Sequence, residues 1–264
     1  MAGYVPRSML DEYGTLIRGI TDGTQQVMAR QLGVLGTGNP DALKAAVRNT
    51  LAGADRATSD IDRQFYQAAR NAAVGSPGTT PVSTRRAFTD GYIDRAVDNM
   101  YREHGERDGS GRWRVTNQEA FESDLSQFVG RLVNEMSKRH VEDYGSRDSI
   151  RPRYARVPSG SETCAYCYAL AGLGFQYKSE ETARAHGHVD CDCVIVPSWN
   201  GSGVEGYNPR RYAAMFNNAQ MDLREGNVSR DLRERVYSRA QTESGYDLNW
   251  KGTLAAMREI YDLK

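Results

Sequence analysis

C-A-Y-C-Y-A-L-A-G-L-G-F-Q-Y-K-S-E-E-T-A-R-A-H-G-H-V-D-C-D-C, residues 164–193, holds all four cysteines of the chain and two of its four histidines, His186 and His188. Thiols confined to one window act as a set, and their spacing points to a metal site. Cys164 and Cys167 form a C-x-x-C knuckle, a tight turn that aims two sulfurs at one centre. The chain then returns with Cys191 and Cys193. If residues 191–196 (C-D-C-V-I-V) form a strand, side chains two apart leave one face, so both sulfurs point together while Asp190 and Asp192 point away. Four thiolates around a tetrahedral centre suit a structural Zn2+. His188, three residues before Cys191, competes for one place. Cys164, Cys167, His188, Cys191 and Cys193 are therefore candidates for a four-ligand shell, with one of them left as an outer group.

Other readings of the window stand beside this one. Small buried cysteines can pack without metal or close a disulfide. A thioredoxin-like redox pair calls for a βαβ pattern around Cys164, which is absent from the sequence. A zinc deaminase needs His-x-Glu ahead of Pro-Cys-x-x-Cys; here the C-x-x-C comes first, and no Glu stands two after either histidine. With no general base beside it, the metal is expected to hold structure and not to activate water. No catalytic residue is assigned. A Ser/His/Asp set can be drawn on paper, but no G-x-S-x-G elbow supports it. His104 falls at a helix end and His140 on a charged face with Lys138, Arg139, Glu142 and Asp143, both ordinary surroundings.

The whole chain sets wider bounds. Its 264 residues suffice for one large or two modest domains, and 34 basic against 34 acidic residues give no net charge. That balance predicts neither strong nucleic-acid binding nor attachment to a membrane. No apolar run has the length of a membrane span, and M-A-G-Y-V-P-R-S lacks the core of a signal peptide, so synthesis in the cytoplasm with reduced thiols is expected. No small-molecule substrate is indicated.

The periodicity predicts a mainly α protein with a small α+β zinc-binding part: an N-terminal helical bundle (1–148), a Cys-rich module (149–200), then a linker and C-terminal helices (201–264). Apolar residues at helical spacing predict helices over 8–35, from Asn39 as cap past Leu51, over 58–74, over 83–104, and from Asn117 as cap to about 144. Between the last two, E-R-D-G-S-G-R is a turn and Trp113–Val115 a short extended piece. Pro152 and Pro158 pin an extended approach to the knuckle, in which Arg151, Arg153 and Arg156 form a basic cluster: a solvated or acid-paired strand face, or a weak contact to DNA phosphates. Y-A-L-A-G-L-G is read as a short helix, F-Q-Y-K as a strand, and 179–185 as a capped helical turn. Asn208-Pro209 starts a further helix, and 250–263 forms a last one with an apolar face.

The run R-Y-A-R-V-P-S-G-S-E-T-C-A-Y-C-Y-A-L-A-G-L-G-F-Q-Y-K-S, followed by H-G-H-V-D-C-D-C-V-I-V-P, resembles the MuF-like minor capsid (head morphogenesis) proteins of tailed bacteriophages, in particular those of actinobacterial phages. The matching elements are the R-V-P-S-G lead-in, the T-C-x-x-C knuckle, Tyr177 followed by Ser179, and the H-x-x-C-x-C return. The resemblance implies a virion component made in few copies, at the portal vertex or the inner face of the head. It would act in head assembly and genome packaging or delivery, with the portal or major capsid protein, and at most weakly packaged DNA, as partners. It also implies that Cys164, Cys167, His188, Cys191 and Cys193 hold the small module together. The contrasting expectation, from a different class, is a capsid maturation protease or another phage-head hydrolase.

Overall fold

A computed structural model of the chain describes residues 3–79, 87–160, 163–177 and 193–263. Its frame is three long helices, α1 (Arg7–Leu35), α2 (Pro40–Val74) and α4 (Gln118–Arg147), each packed against the other two, with the shorter α3 (Asp90–His104) lying on α2 and α4. On α1 the buried positions Leu10, Tyr13, Ile17, Thr21, Thr24, Met28 and Leu32 recur every three or four residues, which keeps one stripe inward despite the glycines of the sequence. At 1.5 Å per residue, the 35 residues of α2 reach about 52 Å.

The sequence predicts two helices where α2 is one. Its start is as expected: Asn39 caps it by accepting a bond from the Ala42 amide at 3.1 Å, and Pro40 takes the first turn. The stripe of Leu43, Val47, Leu51 and Ala54 then continues through Thr58, Ser59 and Asp62 to Phe65 and Ala69. Those polar residues are buried, so the apolar signal lapses while the helix does not. α2 ends at Gly75, whose φ of 72° is the left-handed conformation that glycine adopts freely. Of the helix predicted from residue 83, residues 83–86 lie outside the described residues; α3 starts at Asp90, where the Thr89 hydroxyl caps the Tyr92 amide. Phe88, counted as helical by spacing, precedes that cap and stacks on Tyr92 instead.

The extended piece expected at Trp113–Val115 is β3, and it pairs antiparallel with β2 (Gly105–Arg107), which overlaps the stretch read as a turn, to make a hairpin between α3 and α4. β4 (Arg153–Val157) pairs antiparallel with β5 (Val194–Ser198), Val157 opposite Val194 and Arg153 opposite Ser198. Of the strand expected over 191–196, residues 191 and 192 lie outside the described residues; β5 begins at Val194, next after Cys193. Of the strand expected at F-Q-Y-K, a single bridge from Tyr177 to Tyr154 is present among the described residues. β1 (Tyr4–Val5) runs parallel to β6 (Gly203–Val204). The C-terminal part is α5 (Ala165–Ala171), α6 (Pro209–Glu225) capped by Asn208, α7 (Arg230–Thr242), a π-turn (Leu248–Gly252) and α8 (Thr253–Tyr261). The protein is mainly α with a small α+β part.

Three apolar clusters hold these elements. One lies inside the bundle and runs from Met28 and Leu32 through Leu43, Val97 and Tyr101 to Phe121 and Met136. A second joins the other end of the bundle (Leu10, Tyr13, Phe65, Tyr66, Tyr144) to the strands (Tyr154, Val157, Ile195, Trp199). A third packs Ala165 and Ala169 of α5 against Ala219, Leu223, Val236, Leu254 and Met257. The last helix therefore docks within the chain. At Gly172, just after α5, an added Cβ would meet the Ala213 amide nitrogen at 2.8 Å, so α5 and α6 approach as closely as glycine permits.

Between bundle and strands stands Asp148, at the end of α4. It accepts bonds from Arg70 (Nε 2.7 Å, Nη2 3.2 Å), the Tyr66 hydroxyl (2.9 Å), the Trp199 indole (3.2 Å) and the Ile150 amide (2.9 Å). Burial pushes its carboxyl up, but the bonds from Arg70, Ile150 and Tyr66 win and hold it below the usual carboxylate range.

Candidate metal centre

The cysteines are brought together by two short local rules. Cys164 is the N-cap of α5, its sulfur accepting the Cys167 amide at 3.4 Å, so the C-x-x-C turn and the first helical turn are one structure. Cys193 arrives on the lead into β5, whose pairing with β4 fixes where that strand begins. Cys164, Cys167 and Cys193 are each at most 5 % exposed and form a cluster with Tyr166 packed against it. The Cys167 and Cys193 sulfurs are 3.3 Å apart. That is too long for a disulfide, about 2.05 Å. It is within about 0.5 Å of the sulfur–sulfur edge of about 3.8 Å that a tetrahedron with Zn–S bonds of about 2.3 Å requires.

Of the five expected ligands the structure puts two sulfurs, those of Cys167 and Cys193, in contact and holds Cys164 in the same buried cluster. His188 and Cys191 lie outside the described residues, as does His186. Three soft, buried sulfurs fit a zinc shell chemically, and the fourth place would fall to Cys191 or His188.

One residue of the site was misread from sequence. Arg156 belongs neither to a solvated strand face nor to a DNA-facing cluster with Arg151 and Arg153: those two are exposed, while Arg156 is fully buried. Its Nη1 lies 3.4 Å from the Cys167 sulfur and 3.7 Å from that of Cys193, and its guanidinium is 5.9 Å from the centre of the Tyr166 ring. On β4 both faces are covered, by the bundle and by α5, so the alternation that would send every second residue to solvent does not apply. Tyr177, bridged to β4, contributes a buried hydroxyl with no hydrogen-bond partner among the described residues.

The histidines outside the window behave differently from one another. His140 is not on a charged surface; it is buried between two carboxylates, Nδ1 2.8 Å from Asp62 and Nε2 3.2 Å from Asp55. Burial works against its charge, but its interactions with the Asp55 and Asp62 carboxylates outweigh it and hold its pKa up at about 9. Ser137 and Tyr13 also bond to Asp62, at 2.7 Å each. Ser137, His140 and Asp62 are therefore neighbours without forming a nucleophile relay. The serine hydroxyl bonds the aspartate, and both imidazole nitrogens are taken by carboxylates. The group ties α1, α2 and α4 together. His104 pairs with Asp124 at 2.7 Å and, with Glu103, makes a partly exposed cluster at the base of the hairpin.

With the geometry in place, the comparison with known families adds the class: the chain is a phage gene product. The family model described as VG15 protein matches residues 5–219, and the chain belongs to this family. No curated protein and no solved structure matches it. Among the described residues, no helix is long and apolar enough to cross a membrane.

Proposed function

We propose that the protein is a MuF-like minor structural component of a tailed-phage head, placed at the portal vertex or the inner face of the capsid. Its partners are the portal or major capsid protein, and it serves head assembly and genome packaging or delivery without catalysing a reaction. The thiol cluster is a structural Zn2+ clip held by Cys164, Cys167, Cys193 and either Cys191 or His188. The observation that carries this reading is the clustering of the buried Cys164, Cys167 and Cys193 in a chain of a phage family, since these cysteines lie in the stretch whose sequence resembles the minor capsid proteins. Structural zinc binding is part of the folding free energy, which suits a module whose own strands are short.

Two measurements test it. Mass spectrometry of purified virions is expected to find the chain in assembled particles, and its absence from them overturns the capsid assignment. Elemental analysis of the purified protein is expected to give about one zinc per chain; a metal-free, fully folded protein overturns the clip. Cys167→Ser is expected to give insoluble or protease-sensitive protein. A well-folded Cys167→Ser protein that has lost the ability to cleave a head protein would instead mark a hydrolase.

A further inference from the structure

Arg156 is the one charged side chain that the structure places, fully buried, against the sulfurs among the described residues. We propose that it is the charge-balancing and orienting residue of the thiol centre: its guanidinium donates to Cys167 and Cys193 and offsets the negative charge that a thiolate-bound dication leaves in the interior. The inference rests on the zinc reading above.

The electrostatics set the need. A dication with three thiolates and an imidazole carries a net charge of about −1, and with four thiolates about −2. An uncompensated buried charge is strongly unfavourable. A guanidinium placed 3.4 Å and 3.7 Å from two of the sulfurs supplies a positive charge and N–H donors where that charge accumulates. It is also rigidly delivered. Arg156 sits mid-strand on β4, opposite Ile195 of β5, and Cys193 directly precedes that strand, so one ladder sets both the cation and a ligand. Groups that hydrogen-bond to metal ligands typically change metal affinity by about 10- to 100-fold when removed.

The test uses full-length wild-type protein, Arg156→Gln and Arg156→Lys. Zn2+ affinity is measured by competition with a chromophoric chelator at fixed pH. Co2+ replaces zinc to report thiolate ligation through its charge-transfer absorption, and thermal melts are run with and without metal. Arg156→Gln keeps polar donors but not the charge. It is expected to bind one metal with the cobalt–thiolate band retained and an affinity about 10- to 100-fold weaker, with its melting point lowered chiefly in the metal-loaded form. Arg156→Lys restores the charge and is expected to recover most of the affinity. Wild-type affinity in Arg156→Gln, equal loss in metal-free and loaded melts, or an Arg156→Lys protein as weak as Gln overturns the role of Arg156 and leaves the clip standing. Should Arg156→Gln fail to fold, Arg156→Lys decides: near wild-type affinity supports charge balance, and a tenfold loss or more refutes it. A wild-type protein that takes up neither zinc nor cobalt removes the clip itself, and this inference with it.

Discussion

Replacing Asp148 by Asn removes one charge and changes almost nothing in shape, and its effect can be worked from the contacts. The carboxylate side chain is 5 % exposed and the Arg70 side chain 8 %. Arg70 donates twice to it, and the Tyr66 hydroxyl, the Trp199 indole and the Ile150 amide also converge on it. An amide cannot accept on both of its atoms, so at least one of these donors is left against an N–H, and the guanidinium loses its counter-charge. Breaking a buried ion pair by removing one partner costs roughly 3–5 kcal/mol. Urea unfolding followed by circular dichroism is the assay. Asp148→Asn is expected to lose about that much, whereas Arg70→Met with Asp148→Asn is expected to lose clearly less than the sum of the single changes, because no unpaired cation then remains. A loss below about 1 kcal/mol for Asp148→Asn, or additivity of the two changes, would refute the view that this carboxylate joins the bundle to the strands. The pH dependence has a defined sign. The folded carboxyl lies below its unfolded value, so its contribution is present above the unfolded pKa of about 3.9 and is lost as pH falls through the folded value in strong acid.

The opposite sign is expected at His140: with its folded pKa raised to about 9, the stabilisation it brings is complete below about pH 6.5 and fades as pH rises through about 9, and His140→Gln should flatten that alkaline arm in thermal melts. Gly145→Ala should destabilise by about 1–3 kcal/mol in urea, since the added Cβ would fall 1.8 Å from the Tyr154 hydroxyl oxygen; adding Tyr154→Phe, which deletes that atom, should return part of the loss. Leu223→Ala, at a residue only 2 % exposed in the C-terminal cluster, should cost about 2–5 kcal/mol in chemical denaturation. A metal chelator should lower the melting point of the wild-type protein and increase proteolysis around residues 163–177, while Cys164→Ser should be insensitive to it.

The bundle was legible because its signals are local. Asn39-Pro40, Asn117 and Asn208-Pro209 each mark the helix start that the structure shows, and the apolar stripes of α1 and α4 fix their faces. The sequence misled where a buried position is polar. Thr58, Ser59 and Asp62 interrupted the stripe of α2, and His140, flanked by Lys138 and Arg139, looked solvated. Its partners Asp55 and Asp62 lie some 80 residues away along the chain, at distances of 3.2 and 2.8 Å in space, which no spacing rule reports. The same holds for Arg156. Its neighbours in sequence suggested a basic surface, whereas its environment is set by Cys167 and Cys193, one on a helix and one beside the opposite strand. That Cys164, Cys167 and Cys193 share one buried cluster was legible, because thiols are rare enough for their clustering in sequence to carry meaning.

How far a failure at the thiols would spread follows from where the module is built in. β4 and β5 contribute Tyr154, Val157, Val194, Ile195 and Val196 to the cluster they share with α1, α2 and α4. α5, which begins at the knuckle, contributes Ala165 and Ala169 to the cluster of the C-terminal helices. Cys167 is in α5 and Cys193 abuts β5, so the sulfur contact of 3.3 Å is where these two cores meet. The cluster inside the bundle, formed by Met28, Leu43, Val97 and Phe121 among others, draws on none of those residues. Opening the knuckle should therefore uncouple the C-terminal helices from the strands while the distal bundle keeps its packing. A metal held at that point, as proposed, would act less as a local staple than as a joint between the strands, which pack on the bundle directly, and the C-terminal helices.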